Sequence, residues 1–127
     1  MKNLYLYLDD KRIPKDSKWI IAKNYKKFVD IVNKEGLGNF NVISLDHDLA
    51  DFQKMPNYKE FIEKTGMDCA KFLLDKSMDD NISLPQIYVH SDNTVGVENI
   101  VSIINNYLKF NKLDETCKRV KIPHNVS

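Results

Sequence analysis

Residues 41–51 read NVISLDHDLAD, and this stretch decides the fold. FNVISL (40–45) is a short apolar run of strand length, rich in residues that favour a pleated, buried surface. Where it ends, the chain places Asp46, His47, Asp48 and Asp51 within six positions. A buried strand emerging into acids and a histidine is the pattern of an α/β sheet with chemistry at one edge, and the neighbouring segments extend it.

Upstream, NLYLYLDD (3–10) is another apolar run and ends in Asp9 and Asp10. KRIPKDSK (11–18) is polar and contains proline, so it reads as a loop, and WIIAK (19–23) as a short strand. Asn24 is a candidate N-cap for a helix whose apolar positions are Phe28, Ile31 and Val32, stopped by EGLGN. Downstream, residues 51–64, with Met55, Pro56, Tyr58 and Phe61, read as a connecting segment with room for a short helix. TGMD (65–68) is a capping box, Thr65 with Asp68 three positions on, opening a helix to about residue 77. LPQIYVHS (84–91) is a strand ending in His90 and Ser91. VGVENIVSIINNYLKF (95–110) is an amphipathic helix with Ile100, Ile103, Ile104, Tyr107 and Leu108 inward, and KRVKIP (118–123) is a last short strand.

Strands alternating with helices imply a single α/β domain over 1–127, a three-layer sandwich around a mostly parallel five-stranded sheet. One connection is unusual. Between Asp10 and Trp19 there is no room for a crossover helix, so a loop must reach the second strand, whose direction the sequence leaves open.

The chain of 127 residues is long enough to bury a core without metal or disulfide staples, and its 43% hydrophobic and 29% charged content is that of a globular domain. A net charge of +1 excludes binding to duplex nucleic acid or membrane driven by bulk charge. Cys69 and Cys117 have no metal-ligand spacing, and Cys69 falls on an apolar helix face, as a reduced core thiol would. With no apolar run of spanning length, the protein is expected to be cytoplasmic. Walker-type, GxGxxG, zinc-ligand and GxSxG patterns are absent.

In open α/β sheets ligands bind outside the carboxyl ends of the strands. Three strands end there in polar groups: Asp9-Asp10, Asp46-His47-Asp48, and His90-Ser91 with Asn93 beyond. Two carboxylates about 4 Å apart repel by roughly 4 kcal/mol at intermediate dielectric, so a divalent cation with oxygen ligands, Mg²⁺ or Mn²⁺, is the expected relief. His47 and His90 are the candidates for proton transfer. Arg12 offers a fork suited to phosphate or carboxylate, and the opening turn of the helix after SDNTVG (91–96) offers backbone N–H groups to an anion. Asp51 is read as a turn residue, and His124 has no polar company.

Taken in order, LDD, KRIP, SLDHDL, TGMD and VHSDNTVG resemble the cyclic-phosphate processing receiver-like domains of bacteria and phages, over about Leu4–Asn99. The resemblance implies a receiver-like fold whose first helix is reduced to a loop, and a role on cyclic or terminal phosphates of nucleotides or RNA ends. It implies Asp9, Asp10, Asp46 and Asp48 as the metal-holding acidic pocket and Arg12, Ser91 and Asn93 as phosphate-facing groups. His47 and His90, with Asp46, would then carry out a metal-assisted phosphoesterase reaction. Departures from the family pattern are Ala50 in place of glycine, and Asp92 and Thr94 where a small residue and proline are usual. An alternative from a different class is a signalling receiver with Asp46 as phosphoacceptor, Ser91 after the fourth strand and Lys121 near Pro123. A third is a module that binds a cyclic nucleotide without turnover.

Overall fold

A computed structural model of the chain describes residues 2–49, 51–54 and 61–121. The elements are β1 (Leu4–Leu8), β2 (Trp19–Ala22), α1 (Tyr25–Glu35), a 3₁₀ turn (Leu37–Asn39), β3 (Phe40–Leu45), β4 (Asp51–Lys54), β5 (Phe61–Lys64), α2 (Gly66–Asp80), β6 (Gln86–Val89), α3 (Thr94–Phe110) and β7 (Lys118–Arg119). Five strands form one sheet in the order β2-β1-β3-β6-β7, and every pairing is parallel. This is the α/β receiver-like fold with a parallel sheet expected from the sequence; among the described residues the helices cover one face, so helices and sheet make two layers there.

The steps from β2 to β3, β3 to β6 and β6 to β7 all run in one direction across the sheet. Right-handed crossovers therefore place α1, α2 and α3 along the same face. Period-2 alternation supplies what they cover: Leu6, Leu8, Ala22, Ile43, Leu45, Ile87 and Val89 form one core with Phe28, Val32, Ala70, Leu73, Ile100 and Ile104. Cys69 and Cys117 are buried thiols, and burial pushes Cys117 up to about 12, so both behave as core residues.

The step from β1 to β2 runs the other way, and its connection is the loop of residues 9–18. It succeeds without a helix because Asp9 turns the chain as soon as β1 ends. Asp9 Oδ1 accepts from the backbone N–H groups of Lys11 and Arg12, both at 2.9 Å. β2 then lies parallel to β1, Tyr5 opposite Trp19 and Leu8 opposite Ala22.

Helix starts follow the sequence reading. Asn24 caps α1 through Lys27 N–H at 2.8 Å, and Thr65 and Asp68 form the capping box of α2. α2 runs beyond residue 77 to Asp80, where Asn81 in the left-handed conformation ends it. In the connecting segment the described residues form strands: β4 and β5 pair antiparallel, Asp51 opposite Lys64. Asp51, expected in a turn, opens β4. Residues 55–60, Ala50, Pro123 and His124 lie outside the described residues, as does the end of the expected strand over 118–123.

The sheet face away from the helices is aromatic. Trp19 meets Tyr5 and Tyr7 edge-on at 5.6 and 5.5 Å, and Lys18 and Lys118 lie over Tyr5 and Tyr88. Tyr7 is fully buried there, and its hydroxyl reaches no hydrogen-bonding partner among the described residues. Burial, with Asp9 nearby, pushes the phenol up to about 12. An orphaned buried hydroxyl costs about 1–3 kcal/mol. Tyr7→Phe is therefore expected to raise the melting temperature by a few degrees, read by calorimetry; a drop would mean the hydroxyl is satisfied in solution.

Candidate functional site

The carboxyl ends of β1, β3 and β6 meet at one cavity of about 130 Å³, lined by Asp10, Lys11, Arg12, Asp46, Asp48, Ser91 and Asp92. A larger cavity of about 390 Å³ lies at the far ends of α2 and α3, but Tyr107 is its one titratable lining residue. The titratable groups gather at the smaller one.

Asp9, Asp10 and Asp46 each bring a carboxylate oxygen within 4.8 Å of the others. Asp48 lines the same cavity but stands outside that group. Asp9 and Asp46 are both buried, yet their environments act in opposite directions. Burial works to raise Asp9, but a hydrogen bond from His90, the N–H groups of Arg12 and Lys11, and the nearby imidazole outweigh it and hold it at about 2. Asp46 is raised above the ordinary value, because burial and the Asp9 charge outweigh the help it receives from Ser91, His90 and Arg12. At neutral pH, Asp46 is the carboxylate whose charge is undercompensated.

His90 sits behind this pair, 0% exposed. Its Nε2–H donates to Asp9 Oδ2 at 3.1 Å, and in the neutral ring Nδ1 accepts from Ser44 Oγ at 2.7 Å. Tyr7 stacks on the ring at 4.3 Å. With both nitrogens engaged and no exposed surface, His90 lies behind the cavity and against Asp9, rather than at the cavity surface expected of a catalytic acid or base. Asp9 is itself filled. Its two oxygens accept from Lys11 N, Arg12 N, Arg12 Nη1 at 3.3 Å and His90 Nε2. That is one donor for each of about four lone-pair positions.

His47 is placed differently. Its Nδ1–H donates to Asp48 Oδ1 at 2.7 Å, which lowers Asp48 below the ordinary carboxylate value. The ring lies against the first turn of α3, where a side chain on Gly96 would meet it at 2.4 Å. Its Nε2 has no hydrogen bond among the described residues. Asn93 donates to both oxygens of Asp48 and caps α3 by accepting from Gly96 N–H at 2.9 Å. Its side chain is therefore engaged with the protein. Ser91 is buried, bonded to Asp46 and to the Asn93 N–H. Arg12 is paired through Nη1 with Asp9 and through Nη2 with Asp92. Burial disfavours its charge, but Asp9, Asp92 and Asp46 outweigh that and raise its pKa.

The cavity thus gathers the expected Asp10, Asp46, Asp48, Arg12 and Ser91, with Asp9 and His90 behind them. Sequence reading missed Ser44, Tyr7, Lys11 and the two glycines. Ser44 carried a signal: it lies two positions before Asp46, on the same strand face. Gly66 was quoted only as part of a helix start, yet a Cβ there would sit 1.8 Å from the Asp46 carbonyl oxygen. Its N–H donates to His47 O at 2.7 Å.

No helix among the described residues is long and apolar enough to cross a membrane. No curated protein and no solved structure matches the chain significantly. A family profile does: that of the cyclic-phosphate processing receiver domain matches residues 4–106, more than half of the chain and all of the site. The chain is a receiver-like domain of cyclic-phosphate processing and belongs to that family.

Proposed function

We propose that the protein is a divalent-metal-dependent phosphoesterase acting on a cyclic or terminal phosphate of a nucleotide or RNA end. The observation that carries this reading is the triad of carboxylates Asp9, Asp10 and Asp46, whose oxygens converge within 4.8 Å. The fit to a cation is chemical. Asp46 is raised by burial first and by the Asp9 charge beside it, so Mg²⁺ or Mn²⁺ offers the compensation the protein groups leave short. Asp10 and Asp46 would hold the ion, Asp48 would approach from the rim, and Asp9, already filled with donors, would fix the frame. Bound there, the cation supplies charge neutralisation and polarisation of a phosphoryl group.

The protein's own groups supply the rest. Arg12 and Lys11 face the cavity as its cations. His47, its tautomer set by Asp48, keeps Nε2 as the atom able to take or return a proton. At about 130 Å³, the cavity is well below the 300–1,000 Å³ of pockets that enclose whole ligands, so it suits a phosphoryl group and an ion. The nucleoside would remain outside.

The purified protein with Mg²⁺ or Mn²⁺ is expected to open at least one 2′,3′- or 3′,5′-cyclic nucleotide in a broad panel, with loss of turnover in Asp46→Asn. No turnover across the panel overturns the enzyme reading. A stable phosphoryl adduct after treatment with a small phosphodonor, absent from Asp46→Asn by intact mass, would favour the signalling module.

A further inference from the structure

We propose that Asp92 is a built-in competitor for the phosphate subsite, holding the outward nitrogen of Arg12 until a more highly charged anion displaces it. The inference rests on Arg12 as the phosphate-facing cation proposed above.

The guanidinium cannot move to meet a ligand elsewhere. Its Nη1 is tied to Asp9, which is 0% exposed and itself held by the backbone N–H groups of Lys11 and Arg12 and by His90. The one direction left open is that of Nη2, and there it pairs with the Asp92 carboxylate. The two ends of that pair differ. The Arg12 side chain is 26% exposed, whereas Asp92 is 76% exposed, on the turn between Ser91 and the cap residue Asn93. Asp92 can swing into solvent while Arg12 stays.

Both residues line the cavity that holds Asp46 and Ser91, so an anion seated there competes with Asp92 for Arg12. Around the cavity Asp10, Asp46, Asp48 and Asp92 oppose only Lys11 and Arg12. A singly charged anion gains little by replacing one carboxylate with another. A phosphate dianion, or an anion arriving with a cation, gains from Arg12 and leaves one repelling charge in water. Asp92 thereby favours a terminal phosphate dianion over a singly charged cyclic phosphate that arrives without a cation, and is a determinant of specificity rather than of chemistry.

The test is a titration of the full chain with inorganic phosphate at saturating Mg²⁺, followed by calorimetry and by the amide signals of Ser91 and Asn93. Removing an exposed carboxylate competitor at short range is expected to tighten phosphate binding about tenfold in both Asp92→Asn and Asp92→Ala. Asp79→Asn, an exposed acid on α2, is expected to match the wild type. Unchanged or weaker binding in both Asp92 variants overturns the proposal, as does absence of phosphate binding in every form. Tighter phosphate binding in a protein that opens no cyclic nucleotide would leave this proposal standing and sink the phosphoesterase reading. Turnover with no Asp92 effect would do the reverse.

Discussion

Gly66→Ala is expected to cost more than about 3 kcal/mol, enough to leave much of the protein unfolded or with α2 pushed off the site. The backbone conformation is not the reason, since Gly66 does not adopt a positive φ. The obstacle is another backbone: a Cβ would lie 1.8 Å from the Asp46 carbonyl oxygen and 2.8 Å from its carbon. Neither can turn aside as a side chain would, because β3 is paired on both sides. Urea denaturation against Gly38→Ala makes the comparison, for at Gly38 a Cβ meets only the Ile82 methyl at 3.6 Å. A Gly66→Ala protein within about 1 kcal/mol of wild type would show that α2 can shift without cost.

Gly96 makes the complementary contact. There the added Cβ meets the His47 ring, which can swing, so its loss disturbs the His47–Asp48 bond before it disturbs the fold. The LDHD segment is thus wedged between the first turns of two helices. Both helix starts, TG at 65–66 and TVG at 94–96, carry a glycine where they touch it.

That wedge explains what was legible in the sequence and what was not. The strands and helix caps depend on local periodicity and on side chains bonding their own backbone, so FNVISL, Asn24 and the Thr65–Asp68 box could be read directly. The convergence of Asp9, Asp46 and His90 followed from the rule that parallel strands end together. A close approach between residue 46 and residue 66 has no one-dimensional signature, so glycine read as ordinary punctuation. The β4–β5 pairing escaped for a related reason: it is made between strands, and the mixed polar sequence of 51–64 shows no clear period. The placement of His90 behind the cavity was not legible, because burial sets it. Only the stacked Tyr7 above it, and the bonds to Asp9 and Ser44 at its two nitrogens, show that the ring serves the carboxylate in front of it.

The two buried carboxylates should therefore answer to mutation and pH with opposite signs. Asp9→Asn is expected to cost about 3–5 kcal/mol, because an amide can accept from one pair of donors only by turning its NH₂ toward the other pair. Part of that is visible without mutation. Asp9 falls from 3.8 to about 2 on folding, a depressed value, so its stabilisation of about 2 kcal/mol is present above the unfolded value. It is lost as pH falls from about 4 through about 2. Asp46 is raised, so its charge opposes folding above the unfolded value, and protonation relieves that cost as pH falls through the folded one. Metal-free protein should therefore gain stability on mild acidification before losing it steeply below about pH 4. Asp46→Asn is expected to be about 1 kcal/mol more stable than wild type at pH 7 and to lack the early gain. Asp9→Asn is expected to keep the part of the gain that burial of Asp46 supplies and to lose the steep acid limb. Chemical denaturation of the three proteins across pH, with and without Mg²⁺, reads all of this. Added Mg²⁺ should stabilise the wild type and leave Asp46→Asn nearly unmoved, since a ligand stabilises only through the state that binds it. Equal loss of stability in both variants at pH 7 would mean that Asp46 is compensated by the protein alone, and the case for a cation between them would fall.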